Sequence, residues 1–152
     1  MKKVIAILML IMMTVLMIGC SQPTGASKAL AAEEYVSKLK EVSLPIGETI
    51  VYTAETDSNN LLGRPNQYTS KVNFADTTLE QFESDDPQGG SVEVFNNGAD
   101  AKKRKEYIDS IGKESPMFIE YSYINGGTLL RLNKALTPEQ AKKYETEFMK
   151  IN

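Results

Sequence analysis

Histidine is absent from this 152-residue chain, and cysteine occurs once, at Cys20. Without histidine the chain cannot build a Ser-His-Asp triad or the usual zinc sites. A single cysteine also excludes a disulfide within the chain. A catalytic site would have to use carboxylate, lysine, tyrosine or serine, and nothing in the sequence predicts a metal ion or another cofactor.

An excess of basic residues is also lacking, since 17 Lys and Arg stand against 20 Asp and Glu. Nucleic-acid-binding domains normally present a basic face, so we predict no nucleic-acid partner. Charged residues form 24% of the chain and hydrophobic residues 41%, which is ordinary globular composition. The chain should fold, and its length favours one domain.

The N-terminus has the pattern of a secretory signal. Residues 1–3, Met-Lys-Lys, are basic, and residues 4–18 follow without a charge. Fifteen helical residues span about 22 Å, less than the roughly 30 Å hydrocarbon layer of a bilayer. A cleaved signal over residues 1–19 is therefore favoured over a permanent membrane span.

Residues 16–20, Leu-Met-Ile-Gly-Cys, resemble the lipobox of bacterial lipoproteins, although that pattern usually has Leu where Met17 stands. The resemblance implies that Cys20 is acylated and anchors the chain, outward-facing, to a cell membrane, which would leave no free thiol. The alternative is a plain secretory signal with an incidental cysteine. Small and polar residues then predict a flexible tether over residues 20–29.

Ser21 occupies the position where lipoproteins of two-membrane bacteria carry an Asp retention signal. Its identity, together with the lack of structural cysteines, favours a single-membrane, Gram-positive host.

Residues 30–152 predict a single α+β domain. Apolar residues at helical spacing from Leu30 to Val42 predict a first helix that ends before Pro45. Residues 49–54 predict a short extended segment. Alternation over residues 68–75 and 91–95 predicts a strand pair, separated by a long connection over residues 76–90.

The second half repeats this order. Asn97 can cap a helix that Gly112 and Pro116 stop, and residues 137–140, Thr-Pro-Glu-Gln, form a capping box for a last helix. The order predicts an antiparallel four-stranded sheet from two ββα units, preceded by the N-terminal helix, with the helices packed on one face.

The hairpin between these two helices can be assigned a register. Asn125-Gly126 is a strong signal for a two-residue turn, and it would place Tyr121 opposite Leu130. The same register sets Glu120 against Arg131, so that opposite charges meet across the strands.

A turn-rich loop over residues 57–67 carries amide and guanidinium groups and leads to a tyrosine, side chains that are favoured at binding sites. We expect a partner to contact this loop together with the 76–90 connection. The alternative is a structural connector around Leu61, Leu62 and Pro65. The predicted binding residues are Asn60, Arg64, Asn66 and Tyr68.

Two charged segments favour plainer interpretations. Asp85 and Asp86 could in principle perform acid–base catalysis, but adjacent acids in a Pro-Gly loop are typical of a solvated turn, and their spacing does not fit a calcium loop. Residues 102–105, Lys-Lys-Arg-Lys, point around a helix rather than along one face, which predicts a solvated surface.

The mature part resembles small uncharacterised lipoproteins of Gram-positive bacteria, and residues 62–65, Leu-Gly-Arg-Pro, are similar to lipoprotein and lactamase-inhibitor-like modules that bind other proteins. The resemblance implies a non-enzymatic binding module, with an envelope protein or a wall polymer as its candidate partner. Two alternatives are an envelope hydrolase that uses carboxylates and an exclusion lipoprotein carried by a phage or mobile element.

Overall fold

The computed structural model describes residues 30–84 and 86–152. The signal, Cys20 and the tether predicted for residues 1–29 lie outside the described residues, as does Asp85. None of the described helices is both long and apolar enough to cross a membrane.

The described residues form an α+β structure with three α-helices and a five-stranded antiparallel sheet. The helices are Ala32–Glu41 (α1), Gly98–Glu114 (α2) and Pro138–Phe148 (α3). The strands are Ile46–Val51 (β1), Ser70–Asp76 (β2), Gly89–Val94 (β3), Glu120–Asn125 (β4) and Thr128–Asn133 (β5). A 3-10 turn, Pro116–Phe118, lies between α2 and β4.

The predicted helix starts are confirmed. The side chain of Asn97 accepts a 2.9 Å hydrogen bond from the Asp100 amide at the start of α2. At α3, Thr137 Oγ1 accepts from the Gln140 amide and the Gln140 side chain accepts from the Thr137 amide, at 3.2 and 2.7 Å. Each cap satisfies amides that have no partner within the helix.

The sheet has the strand order β1-β2-β3-β5-β4. The expectation of four strands was wrong, because β1 pairs along β2 as a fifth strand, with Val51 opposite Val72. Gly47 and Glu48 interrupt its apolar pattern, and the pairing is irregular between Ile46 and Thr49, so the strand was weakly encoded. Hydrogen bonding to β2 compensates for this weak local preference.

The helices lie on both faces of the sheet, not on one face as the sequence predicted. Helices α1 and α3 cover the face that carries Val72, Phe74 and Leu130. Helix α2 covers the opposite face, where Ala101 and Ile108 pack with Leu129. Because alternate strand residues point to opposite faces, neighbours such as Leu129 and Leu130 belong to separate cores.

The β4–β5 hairpin also differs from the predicted register. Asn125 pairs with Thr128, and Tyr121 lies opposite Leu132, so the turn consists of Gly126 and Gly127. Gly126 has φ +56°, which glycine adopts without strain. The shift is two residues, so every side chain keeps its predicted face.

Candidate functional site

A groove runs beside α2 on its face of the sheet. Helix α2 lies against β4 and β5, and the part of β2 and β3 that it leaves open forms the floor of a groove of about 1250 Å³. The rest of the lining comes from α2, residues 117–120, residues 131–134, the loop around residues 58–67 and residues 86–88. We call this the α2 groove. Both loops that the sequence analysis selected as a partner contact contribute to it.

Glu93, in β3, is the centre of an ionic network under the groove. Its carboxylate is fully buried and accepts hydrogen bonds from Arg104 Nε at 3.0 Å and from Arg131 Nη1 at 2.9 Å. Arg131 also binds both oxygens of Glu120, at 2.6 and 2.9 Å. The pair between Glu120 and Arg131 was predicted, although the two residues are not directly opposite in the sheet.

The charge of Arg131 is held firmly. Burial alone would lower the pKa of Arg131, but hydrogen bonds and the negative charges of Glu120 and Glu93 raise it above its ordinary value. A buried ionic group of this kind needs its partners, because removing one partner typically costs about 3–5 kcal/mol. The network therefore fixes Arg104, the side chain of α2 that binds Glu93.

Asp57 fixes the loop on the other side of the groove. Its carboxylate accepts hydrogen bonds from Lys71 Nζ at 3.0 Å, from the Tyr68 hydroxyl at 2.6 Å and from the Leu61 and Leu62 amides at 2.9 and 3.1 Å. Burial alone would raise the pKa of Asp57, but these four donors hold it well below its usual range. Asp57 therefore stays ionised and ties the loop to β2.

Two polar atoms in the floor lack a hydrogen-bond partner within the described part of the chain. They are Asn73 Oδ1 and Ser91 Oγ, both buried, and the two residues lie directly opposite each other in β2 and β3. Asn73 Nδ2 is engaged, since it donates to Asp86 Oδ1 at 2.7 Å and to the Tyr52 hydroxyl at 3.2 Å. A buried polar group without a partner costs about 1–3 kcal/mol.

Large apolar side chains line the edge of the groove. Tyr107, Met117, Phe118 and Ile119 are 59%, 68%, 57% and 51% exposed, and all four belong to the lining. The turn that carries Met117 and Phe118 is fixed by Lys134, whose Nζ donates to the carbonyl oxygens of Pro116 and Met117 at 3.1 and 2.9 Å. We call these four residues the apolar rim.

The predicted binding residues are separated by the structure. Asn66 is exposed and lines the α2 groove, whereas Asn60 and Arg64 are exposed but outside its lining. Tyr68 was wrongly assigned as a contact residue, because it is completely buried against Phe95, edge to face, with its hydroxyl on Asp57. Tyrosine packs in cores as well as in interfaces, so the neighbouring sequence did not indicate that Tyr68 is buried.

Asn60 and Asn66 have a backbone role. Their φ angles are +53° and +61°, in the left-handed region that asparagine tolerates better than most residues. The turns of the loop therefore account for asparagine at these two positions.

The two charged segments have different environments. Asp86 lies at the groove, where its Oδ1 accepts from Tyr52 and Asn73. Burial and the bond to Asp86 raise the pKa of Tyr52, so its phenol stays protonated. Within residues 102–105, Lys102 and Lys103 are exposed as expected, but Arg104 is buried against Glu93.

The sequence analysis missed Asn73 and Ser91 in the floor of the groove and Glu93 beneath it. A signal was present, because Glu93 stands between Val92 and Val94 and Arg131 between Leu130 and Leu132. Single charges at the polar positions of two strands are compatible with a buried pair as well as with solvent. The described residues contain no group of three or more acidic, His or Cys side chains placed to hold a metal ion.

Comparison with protein-family models, with curated protein sequences and with solved structures finds no match to this chain. The geometry of the α2 groove is therefore the main basis for inferring a function.

Proposed function

We propose that this chain is a membrane-anchored, extracytoplasmic lipoprotein whose folded part is a non-enzymatic binding module. In this proposal Cys20 holds the chain on the membrane, and a segment of an envelope protein occupies the α2 groove. The observation that carries the proposal is the apolar rim, four large side chains more than half exposed along one groove. Contiguous exposed apolar surface of this kind typically marks a protein-binding site.

The charge of the groove favours a protein over an anionic polymer. Each buried cation has an acidic partner, as in the pair of Lys71 with Asp57 and the network of Arg104 and Arg131 with Glu93. Among the described residues the cations of the lining are equal in number to the acids in and under it. The cations are Lys71, Lys103, Arg104, Arg131 and Lys134, and the acids are Asp57, Asp86, Glu93, Asp100 and Glu120. A site without net charge gains little from phosphate groups.

The same pairing weighs against the carboxylate hydrolase. A general acid must carry a proton near neutral pH and face the substrate. Glu93 and Glu120 are held by arginines, and Asp86 accepts hydrogen bonds from Tyr52 and Asn73. The carboxylates of the groove are therefore used to fix its walls, which suits binding better than proton transfer.

Photocrosslinking in the envelope tests the proposal. A photoreactive phenylalanine analogue replaces Phe118 in the full chain, and the same analogue at Phe82 is the control, because Phe82 is 63% exposed but lies outside the groove lining. We expect one defined protein adduct from position 118 that position 82 does not give. The adduct should disappear when Met117→Ser and Tyr107→Ser are added.

Identical adducts from both positions, or an adduct that survives the rim substitutions, would refute the groove as the binding site. Mass spectrometry of the adduct identifies the partner and the segment that was bound. If that partner were the entry machinery of a phage or mobile element, the exclusion alternative would be favoured.

A further inference from the structure

The floor of the α2 groove contains a pair of unused hydrogen-bonding atoms. Asn73 and Ser91 face each other across β2 and β3, and Asn73 Oδ1 and Ser91 Oγ have no partner in the described residues. Ser91 is 8% exposed, and both residues belong to the groove lining. The two atoms are themselves buried, but their residues line the groove and not a closed core, so a ligand in the groove contacts them when either side chain rotates.

The neighbouring contacts determine which chemistry is missing. Asn73 uses its Nδ2 on Tyr52 and Asp86, which fixes the amide so that Oδ1 is left as an acceptor. Arg131, opposite Ser91 in β5, is committed to Glu93 and Glu120. Among the described residues no uncharged group donates to Asn73 Oδ1, and the Ser91 hydroxyl, which can both donate and accept, has no partner. An N–H or O–H group of a ligand can donate to either atom.

We propose that the α2 groove binds an extended peptide segment whose main-chain N–H groups donate hydrogen bonds to Asn73 Oδ1 and Ser91 Oγ. This inference rests on the proposed binding function and specifies its ligand. Main-chain amides are neutral donors, which fits the balanced charge of the groove. Apolar side chains of the same segment lie against Met117 and Phe118, and the volume of about 1250 Å³ exceeds the roughly 300–1000 Å³ typical of small-molecule pockets.

A glycan would satisfy the same two atoms through its hydroxyl groups. Tyr107 and Phe118 are aromatic and suit either ligand, whereas Met117 and Ile119 are aliphatic and suit the apolar side chains of a peptide better than a sugar ring. The test below includes glycan binding as one of its outcomes.

The probe is a random linear peptide library displayed on phage, selected on the full chain in detergent. Enriched peptides are synthesised, and each main-chain N–H is replaced in turn by N-methyl. We expect N-methylation at one position, or at two positions separated by one residue, to raise the dissociation constant about three- to tenfold, the contribution of a hydrogen bond. The spacing follows because alternate N–H groups of an extended segment point to the same side. Ser91→Ala should weaken binding similarly.

The matched control is Ser122→Ala, which should leave peptide binding unchanged because Ser122 lies outside the groove lining. Ser122 lies on the same transverse row of the sheet, opposite Arg131, but its hydroxyl bonds to Lys105 and Asp109 under α2. Ser91→Ala removes a hydroxyl that has no partner among the described residues, so it should leave the midpoint of urea unfolding unchanged or raise it. A loss of binding together with retained stability cannot be explained by misfolding.

Three outcomes would overturn the inference. The first is that no peptide is enriched. The second is that peptides bind, but with an affinity that neither N-methylation nor Ser91→Ala changes. The third is that peptides do not bind, whereas soluble peptidoglycan fragments bind and Ser91→Ala abolishes that binding. In the second case a position-118 adduct would still support the proposed function, so the two failures can be distinguished. Absence of both peptides and adducts would reject both.

Discussion

The ammonium group of Lys71 lies 3.0 Å from Asp57 Oδ1, and the exposed fractions of the two side chains are 4% and 0%. Desolvation offsets much of the attraction in such a pair, so the intact pair stabilises the fold less than its charges suggest. Loss of one partner destabilises the fold strongly, because the remaining charge stays buried without its partner. The loop that contains Asp57 therefore depends on this carboxylate for its position beside the α2 groove.

Asp57→Asn should lower the free energy of unfolding by about 3–5 kcal/mol, since it leaves Lys71 buried with no ionic partner in the described part of the chain. Urea unfolding followed by circular dichroism measures the change. The control is Glu106→Gln, which breaks an exposed pair with Lys102 and should cost less than about 1 kcal/mol. Equal losses in the two variants would contradict the structural role of Asp57.

The pH dependence of stability should change in the same variant. The pKa of Asp57 lies below its ordinary value in the folded chain, so the unfolded chain binds this proton first on acidification. Its contribution is fully present above the ordinary aspartate pKa of about 4 and is lost as the pH falls below that value. The difference in unfolding free energy between wild type and Asp57→Asn should therefore shrink from pH 7 to pH 3. A constant difference would show that Asp57 is not the group responsible.

Glu93→Gln should destabilise the chain by about 3–5 kcal/mol, because Arg104 then has no acidic partner among the described residues and Arg131 keeps only Glu120. Glu120→Gln is the comparison, since it leaves Arg131 paired with Glu93 and Glu120 itself is partly exposed. Its loss should be clearly smaller. Thermal or urea unfolding of both variants gives the order, and the reverse order would refute Glu93 as the centre of the network.

Local signals were sufficient to predict the helices. The caps at Asn97 and Thr137 use bonds to residues three positions away, so a short stretch of sequence contains the whole interaction. Alternation of apolar residues likewise predicted β2, β3, β4 and β5 and the inward direction of their side chains. The antiparallel α+β class follows from these elements alone.

Long-range contacts account for what the sequence did not predict. The register of the β4–β5 hairpin depends on Asn125, whose side chain leaves the turn and donates to the carbonyl oxygens of Phe148 and Ile151 at 3.0 and 2.8 Å. Asn-Gly therefore indicated the right hairpin but the wrong turn residues. This interaction joins residues more than twenty positions apart, so a local pattern does not contain it.

Of the candidate site, the sequence predicted only the two loops that contribute to its lining. Glu93 and Arg131 occupy polar positions of alternating strands, which usually face solvent, and their burial depends on which face α2 covers. Which face α2 covers is determined by packing contacts between elements that are distant in sequence. Of the predicted residues only Asn66 lines the groove, and the loop that carries it was recognised because turns have a local composition signal.

Asn66 can be tested for its backbone role. At φ +61° an alanine should destabilise the fold by about 1–2 kcal/mol, whereas glycine should be tolerated. Comparing the urea midpoints of Asn66→Ala and Asn66→Gly separates conformation from side-chain contacts. If both variants lost the same stability, the amide side chain and not the φ angle would be what the loop requires.

The proposed anchor makes a prediction that is independent of the groove. Cys20→Ala should abolish incorporation of radiolabelled palmitate and leave the precursor uncleaved, because acylation of the only cysteine precedes removal of the signal in the lipoproteins that residues 16–20 resemble. The described core, from Ala32 to Ile151, contains no cysteine, so the unfolding free energy should not change and a lost label would report anchoring rather than misfolding. If the thiol of Cys20 is acylated, the mature wild-type chain should not react with a maleimide even after denaturation. Equal palmitate labelling of the two chains, or a reactive thiol in the mature wild type, would reject the lipid anchor while leaving the binding proposal to be decided by the photocrosslinking of position 118.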